Sequence, residues 1–209
     1  MRKHPLENDN FYHIFTRSIS QHKIFPSSRE LSRFSETVKF YQFGNSGIKY
    51  SVSSKNSDNS IDRTNKLVEI IAYCIMPTHI HLILKQLKKN GISDFMRYVL
   101  NSYTRYFNIK NNRKGPLWEG RFKSVLIENN DYLLHLTRYI HLNPVTSYLV
   151  KKPEQWKASS YTEYLNEFNQ RLTNMDGIFD FTPETYKEFV EDGISYQQEL
   201  ARIKHLTLE

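Results

Sequence analysis

Cysteine is nearly absent from these 209 residues, with Cys74 the single one. That excludes an internal disulfide and a cysteine-rich metal site, and it suits a reducing compartment. Glycine and proline are sparse, at seven each, which argues against collagenous or low-complexity architecture. No apolar run reaches the roughly 20 residues that a membrane-spanning helix needs. The start, Met1-Arg2-Lys3-His4-Pro5, leads into polar residues and carries no apolar core of signal-peptide length. A soluble, cytoplasmic chain with no membrane contact is therefore expected. A hydrophobic share of 39% and an aromatic share of 14% are ample for a buried core. The length fits one domain with room for an appendage.

Net charge is +7, and its placement says more than its size. Between Arg97 and Lys123 stand Arg97, Arg105, Lys110, Arg113, Lys114, Arg121 and Lys123 against Glu119 alone, a local excess of six. Tyr98, Tyr103, Tyr106, Phe107, Trp118 and Phe122 are interleaved with them. Cations displace counterions from phosphates and flat rings stack on unpaired bases, so the mixture suits single-stranded or hairpin nucleic acid. A solvated basic face over an aromatic core is the equally ordinary reading.

Periodicity predicts a strand at Phe11–Ile19, a helix at Ser27–Phe43 capped by Ser28, and a polar insertion at Gly44–Asn65. Leu67–Met76 reads as a central strand covered on both faces. Pro77-Thr78 breaks it before a second strand at His79–Lys85. A helix follows at Ser93–Asn108 with Ser93 as its cap, then a loop at Asn111–Gly120 and a short strand at Arg121–Ile127. A further helix at Asp131–Leu142 is expected to stop at Pro144. Trp156–Tyr164 and Thr182–Lys204 look helical but peripheral, with Thr182-Pro183-Glu184 a good helix start. The order β-α-β-β-α-β-α predicts an α+β fold of ferredoxin-like or palm type. Its sheet should be mainly antiparallel with helices on one side, followed by a helical C-terminal extension. The expected division is 1–165 and 166–209.

Two local patterns carry chemistry. In His79-Ile80-His81 the imidazoles are two apart, so on a strand both face one side, half of a divalent metal site. In Arg138-Tyr139-Ile140-His141-Leu142-Asn143-Pro144-Val145, Tyr139 and Asn143 are four apart and share a helix face. Tyr132, seven before Tyr139, lies on that face too. A phenol can attack a phosphodiester and keep the DNA end as a phosphotyrosine. Each pattern alone also fits ordinary packing, the chain having 14 tyrosines.

Taken in order, four segments resemble the HUH single-tyrosine transposases, above all the REP-associated branch. They are Tyr73–Leu84 with its His-Ile-His, Tyr103-Thr104-Arg105-Tyr106-Phe107-Asn108, Gly115–Ser124, and Arg138–Val145. Trp156 with Ser159-Ser160-Tyr161 resembles the segment that follows. The likeness runs from about Phe11 to Tyr164, with a longer insertion than usual at 44–65. It implies a divalent metal ion, Mg or Mn, held by His79 and His81 with Asn143 as the less secure third ligand, and Tyr139 as nucleophile. It also implies a DNA-binding surface including Trp118, Arg121 and Lys123, to which the basic stretch adds Arg105, Arg113 and Lys114. The implied activity is nicking and rejoining of single-stranded, hairpin or palindromic DNA through a 5′-phosphotyrosine, in a nucleoid-associated enzyme. A domesticated or non-catalytic hairpin-binding protein is the alternative, and a homodimer is left open.

Overall fold

The computed structural model describes residues 4–44, 50, 64–165 and 171–206. Most of the Gly44–Asn65 insertion lies outside them. Four strands, β1 (Phe11–Arg17), β2 (Val68–Ile75), β3 (His79–Gln86) and β4 (Lys123–Ile127), form one antiparallel sheet in the order β2-β3-β1-β4. With α1 (Ser28–Tyr41), α2 (Gly91–Lys110) and α3 (Asn130–Thr146) the element order is the one expected. The fold is α+β, and β2 and β3 are joined by Pro77-Thr78 as a tight hairpin in which the Met76 N–H bonds His79 O at 2.8 Å.

Strand alternation sorts the core into two layers. Tyr12, Ile14, Ile80, Leu82 and Leu84 point to one face and pack with Phe34 and Val38 of α1 and Phe95, Val99 and Tyr103 of α2. Ile83, Cys74 and Ile127 contribute to a second cluster with Leu133, Leu136 and Ile140 of α3. The expectation of helices on one side is thus corrected. Two helices lie there, and α3 covers part of the other face because β2 and β3 present apolar side chains both ways.

β2 is also an edge strand rather than a central one. Its continuous apolar run reflects a covered edge. The N–H of Ile75 bonds Ala158 O at 2.8 Å, that of Ser160 bonds Tyr73 O at 3.0 Å, and that of Asn174 bonds Ile70 O at 2.8 Å. The Trp156 indole and Tyr164 hydroxyl donate to Ile75 O and Ile71 O at 3.0 and 2.8 Å. Residues 156–165 and 171–174 thereby satisfy groups that an open edge would leave to aggregation.

Helix ends differ from expectation in informative ways. Ser27, not Ser28, caps α1, its hydroxyl accepting from the Arg29 N–H at 3.3 Å. α2 starts at Gly91 rather than after Ser93, preceded by Asn90 at φ 64°. A Cβ at Gly91 would lie 2.3 Å from the Leu67 carbonyl oxygen, so this approach requires glycine. Asn129 caps α3 by accepting from the Tyr132 N–H at 2.8 Å. Pro144 lies inside α3 rather than ending it. In the last turn a proline forgoes one backbone bond, and the N–H of Ser147 still reaches Asn143 O at 2.9 Å. Asn143 is therefore helical and does not terminate the element.

The C-terminal part forms α4 (Tyr161–Leu165), α5 (Pro183–Glu191) and α6 (Ile194–Leu206). Thr182 does cap α5, accepting from the Thr185 N–H at 3.3 Å, but the expected single helix divides at Asp192-Gly193. It is not peripheral either. Tyr186 is buried in the second cluster, against Phe181 and Tyr164 at 4.6 and 4.7 Å between ring centroids. Among the described residues no helix is long and apolar enough to cross a membrane.

Candidate active site on the α3 face of the sheet

His79 and His81 sit at the start of β3, on the face that α3 covers, with ring centroids 5.1 Å apart and planes at 85°. Antiparallel register sets Arg17 opposite His79, and Phe15 opposite His81. The row extends from Phe15 to Lys123 on β4. His13, one alternation along β1, brings its Nε2 within 2.9 Å of His81 Nδ1. The other histidine is engaged alike, its Nδ1 lying 3.0 Å from Thr78 Oγ1. Burial holds these imidazoles neutral. It pushes His79 down to about 4, with help from Arg17, and His13 to about 4. His81 falls to about 2 through burial first and then the neighbouring His13, His79 and Arg17.

Tyr139 projects from α3 over this pair. Its ring stands edge-on to His81, 6.1 Å between centroids at 89°. It is 41% exposed, so its hydroxyl is not sealed in the core. Burial raises its pKa and keeps the phenol protonated at neutrality. Tyr132 is equally exposed at 42%. Seven residues of helix, however, separate the two by about 10 Å along the axis, leaving Tyr139 as the phenol beside the histidines. Tyr139 and Asn143 both line a cavity of about 760 Å³ between α3 and α6, shared with Arg138, Tyr148, Tyr196 and Gln197. The Gln197 side chain donates to the Tyr139 carbonyl at 3.0 Å.

The donor set fits a divalent cation. Each imidazole has its Nδ1 within hydrogen-bond distance of a partner; where Nδ1 carries the ring proton, Nε2 offers its lone pair to a metal without competition from a second proton near neutral pH. Asn143 is buried and its Nδ2 has no hydrogen-bond partner; as a ligand it would offer Oδ1, with Nδ2 still to be satisfied by water or DNA. Among the described residues no cluster of three or more His, Cys, Asp or Glu has metal-holding geometry. An amide, water or phosphate oxygen must complete such a site.

The basic residues named from sequence divide. Lys123 lies on the histidine face, its ammonium 6.0 Å from the Phe15 ring, and Arg121, just before β4, is exposed. Arg105 is exposed on α2, on the opposite side of the sheet from the histidines. Arg113 spends its guanidinium on Asn108 Oδ1 at 2.9 Å and Pro116 O at 2.6 Å, holding the loop that also exposes Lys114. Trp118 is only 8% exposed and packs with Phe25 and Tyr103, its indole N–H bonding Thr104 Oγ1 at 3.1 Å. Its ring belongs to the core and has no free face for a base.

Sequence reasoning missed His13 and Arg17. Both lie in the first strand on the same alternation as Phe15, a signal visible once the strand is assigned. Nothing in the sequence says that β1 pairs with β3.

An HxH pair on a central strand thus faces a tyrosine from a covering helix. Residues 59–143 match the family described as transposase, IS200-like. A protein of Haemophilus influenzae, provisionally named a REP-associated tyrosine transposase, is 32% identical over 104 residues, 44% of this chain and 58% of the relative. The chain thus spans under two thirds of that relative's length. The fold matches the structure of a REP-associated tyrosine transposase bound to a REP hairpin, with TM-score 0.55 and 17% identity over 88% of this chain and 95% of that one.

Proposed function

We propose that this protein nicks and rejoins single-stranded or hairpin DNA, with Tyr139 as the nucleophile and a divalent cation, Mg or Mn, on His79, His81 and Asn143. The edge-on placement of Tyr139 against His81 is the observation that carries this reading. The hairpin ligand of the structural neighbour supports the substrate class. In the chemical step the phenol oxygen forms a bond to phosphorus while the bond to the 3′ oxygen breaks. The departing 3′ oxygen takes up a proton as the phenol releases one, both exchanged with solvent. The phosphate remains on the 5′ side as a phosphotyrosine diester, so the reverse attack by a 3′ hydroxyl rejoins a strand. A bound cation would supply charge stabilisation to the scissile phosphate. Arg17 on β1 and Lys123 on β4 lie on the same side of the histidine strand and would meet the DNA backbone there.

Incubation with a 3′-labelled hairpin oligonucleotide and manganese tests the reading, the label lying on the segment that would stay on tyrosine. A protein–DNA adduct that survives denaturation, and is absent with Tyr139→Phe, is the expected result. A gel shift without an adduct would leave a hairpin-binding protein, and cutting without an adduct would mean hydrolysis by water.

A further inference from the structure

Burial and hydrogen bonding single out His13, a residue outside the HxH pair. Its Nε2 lies 2.9 Å from His81 Nδ1, the ring planes differ by only 19°, and the centroids are 5.2 Å apart. Such a separation is reached when the two nitrogens lie along the line joining the ring centres. The lone-pair directions therefore point at each other and do not converge on a third point, as two ligands of one cation would. One proton sits between them, because two bare ring nitrogens at 2.9 Å would set lone pair against lone pair.

We infer that His13 is a positioning residue that accepts the Nδ1–H of His81 and so fixes the tautomer in which His81 Nε2 is a free donor toward a divalent cation. The chemistry leaves two arrangements. If His13 donated instead, His81 would carry its proton on Nε2 and could not ligate through that atom. If His81 donates, its Nε2 is bare and its ring is held in plane by a partner on the neighbouring strand. Outer partners of ligating histidines act this way in general, and their loss costs 10–100-fold in metal affinity. His13 reaches this position because His13 is paired with Ile83, two residues beyond His81 on the same face. This role rests on the metal-site reading above, yet the hydrogen bond can be measured without metal.

The test uses the full chain labelled with 15N-histidine and free of metal. Long-range 15N–1H spectra should show His81 protonated at Nδ1 in the unsubstituted protein. A spectrum with His81 protonated at Nε2 would overturn the inference without any variant being made. In His13→Phe, His81 should shift toward the Nε2–H form, and Mn2+ affinity by titration calorimetry should fall 10–100-fold with the metal-free melting temperature within a few degrees of the parent. His13→Gln, whose Oε1 can accept the same proton, should recover most of the affinity. Unchanged Mn2+ affinity in His13→Phe would sink the positioning role. Absence of Mn2+ binding in the parent would instead remove the metal-site reading, while the tautomer of His81 still decides the contact with His13.

Discussion

The Tyr186 hydroxyl, on α5, bonds His141 Nδ1 on α3 at 2.7 Å, joining residues 45 apart in the chain. The bond belongs to a buried chain that can be followed by its donors. Ser160 Oγ lies 2.7 Å from His141 Nε2 and accepts from the Tyr73 N–H, while the Tyr186 hydroxyl donates to Thr137 Oγ1 at 2.9 Å, which donates to Leu134 O. With His141 neutral every partner is satisfied once. The network ties α3, and with it Tyr139, to β2 and to the C-terminal helices.

Removing one member should therefore loosen α3. Tyr186→Phe deletes the bridging hydroxyl and leaves His141 and Thr137 short of a partner, at a cost of about 1–3 kcal/mol. Denaturant unfolding with and without the substitution measures it, and an unchanged midpoint would show the chain to be dispensable.

Acid should destabilise the metal-free protein before its carboxylates titrate. Burial pushes His141 down to about 3, below the ordinary unfolded value near 6.5. A group depressed in this way lets the unfolded state bind more protons between those two values. Stability is full above pH ~6.5 and is lost as pH falls toward 3, by up to ~1.4 kcal/mol per pH unit for each such histidine. Melting temperatures across pH 7 to 4 should fall steadily, and the slope should flatten in His141→Gln if the variant folds.

Adduct formation should separate the two tyrosines of α3. Tyr139→Phe abolishes it, whereas Tyr132→Phe leaves it within a few-fold, because the latter ring stands about two helical turns away. Loss in Tyr132→Phe alone would reassign the nucleophile and keep the mechanism.

DNA affinity should fall steeply with salt, and the cations of the histidine face should carry more of that slope than Arg105. For single strands each lost phosphate contact lowers the slope by about 0.7. Binding isotherms from 50 to 300 mM salt should show this change for Lys123→Ala and for Arg17→Ala, and almost none for Arg105→Ala. Equal effects at all three sites would place the DNA across both faces of the sheet.

Trp118→Ala should act on stability, costing about 3–5 kcal/mol as a buried aromatic. Thermal melts decide this. A full-strength fold with lost binding would return Trp118 to the DNA surface.

Sequence alone determined the order of elements, because alternation in strands and 3.6-residue spacing in helices are local patterns. His79 and His81 were legible for the same reason, since a spacing of two on a strand needs no partner to be understood. Tyr139 and Asn143 likewise share a face by helix geometry. Tertiary structure alone decided which strands are neighbours, and so brought His13 and Arg17 of β1 beside β3. It also made β2 an edge sheltered by residues 156–165 and 171–174, put Trp118 in the core and Arg105 on the far face, and buried Tyr186 under α3. Each of these depends on pairing or packing between segments distant in the chain, where free energy is shared across many contacts and no short window of residues records the outcome.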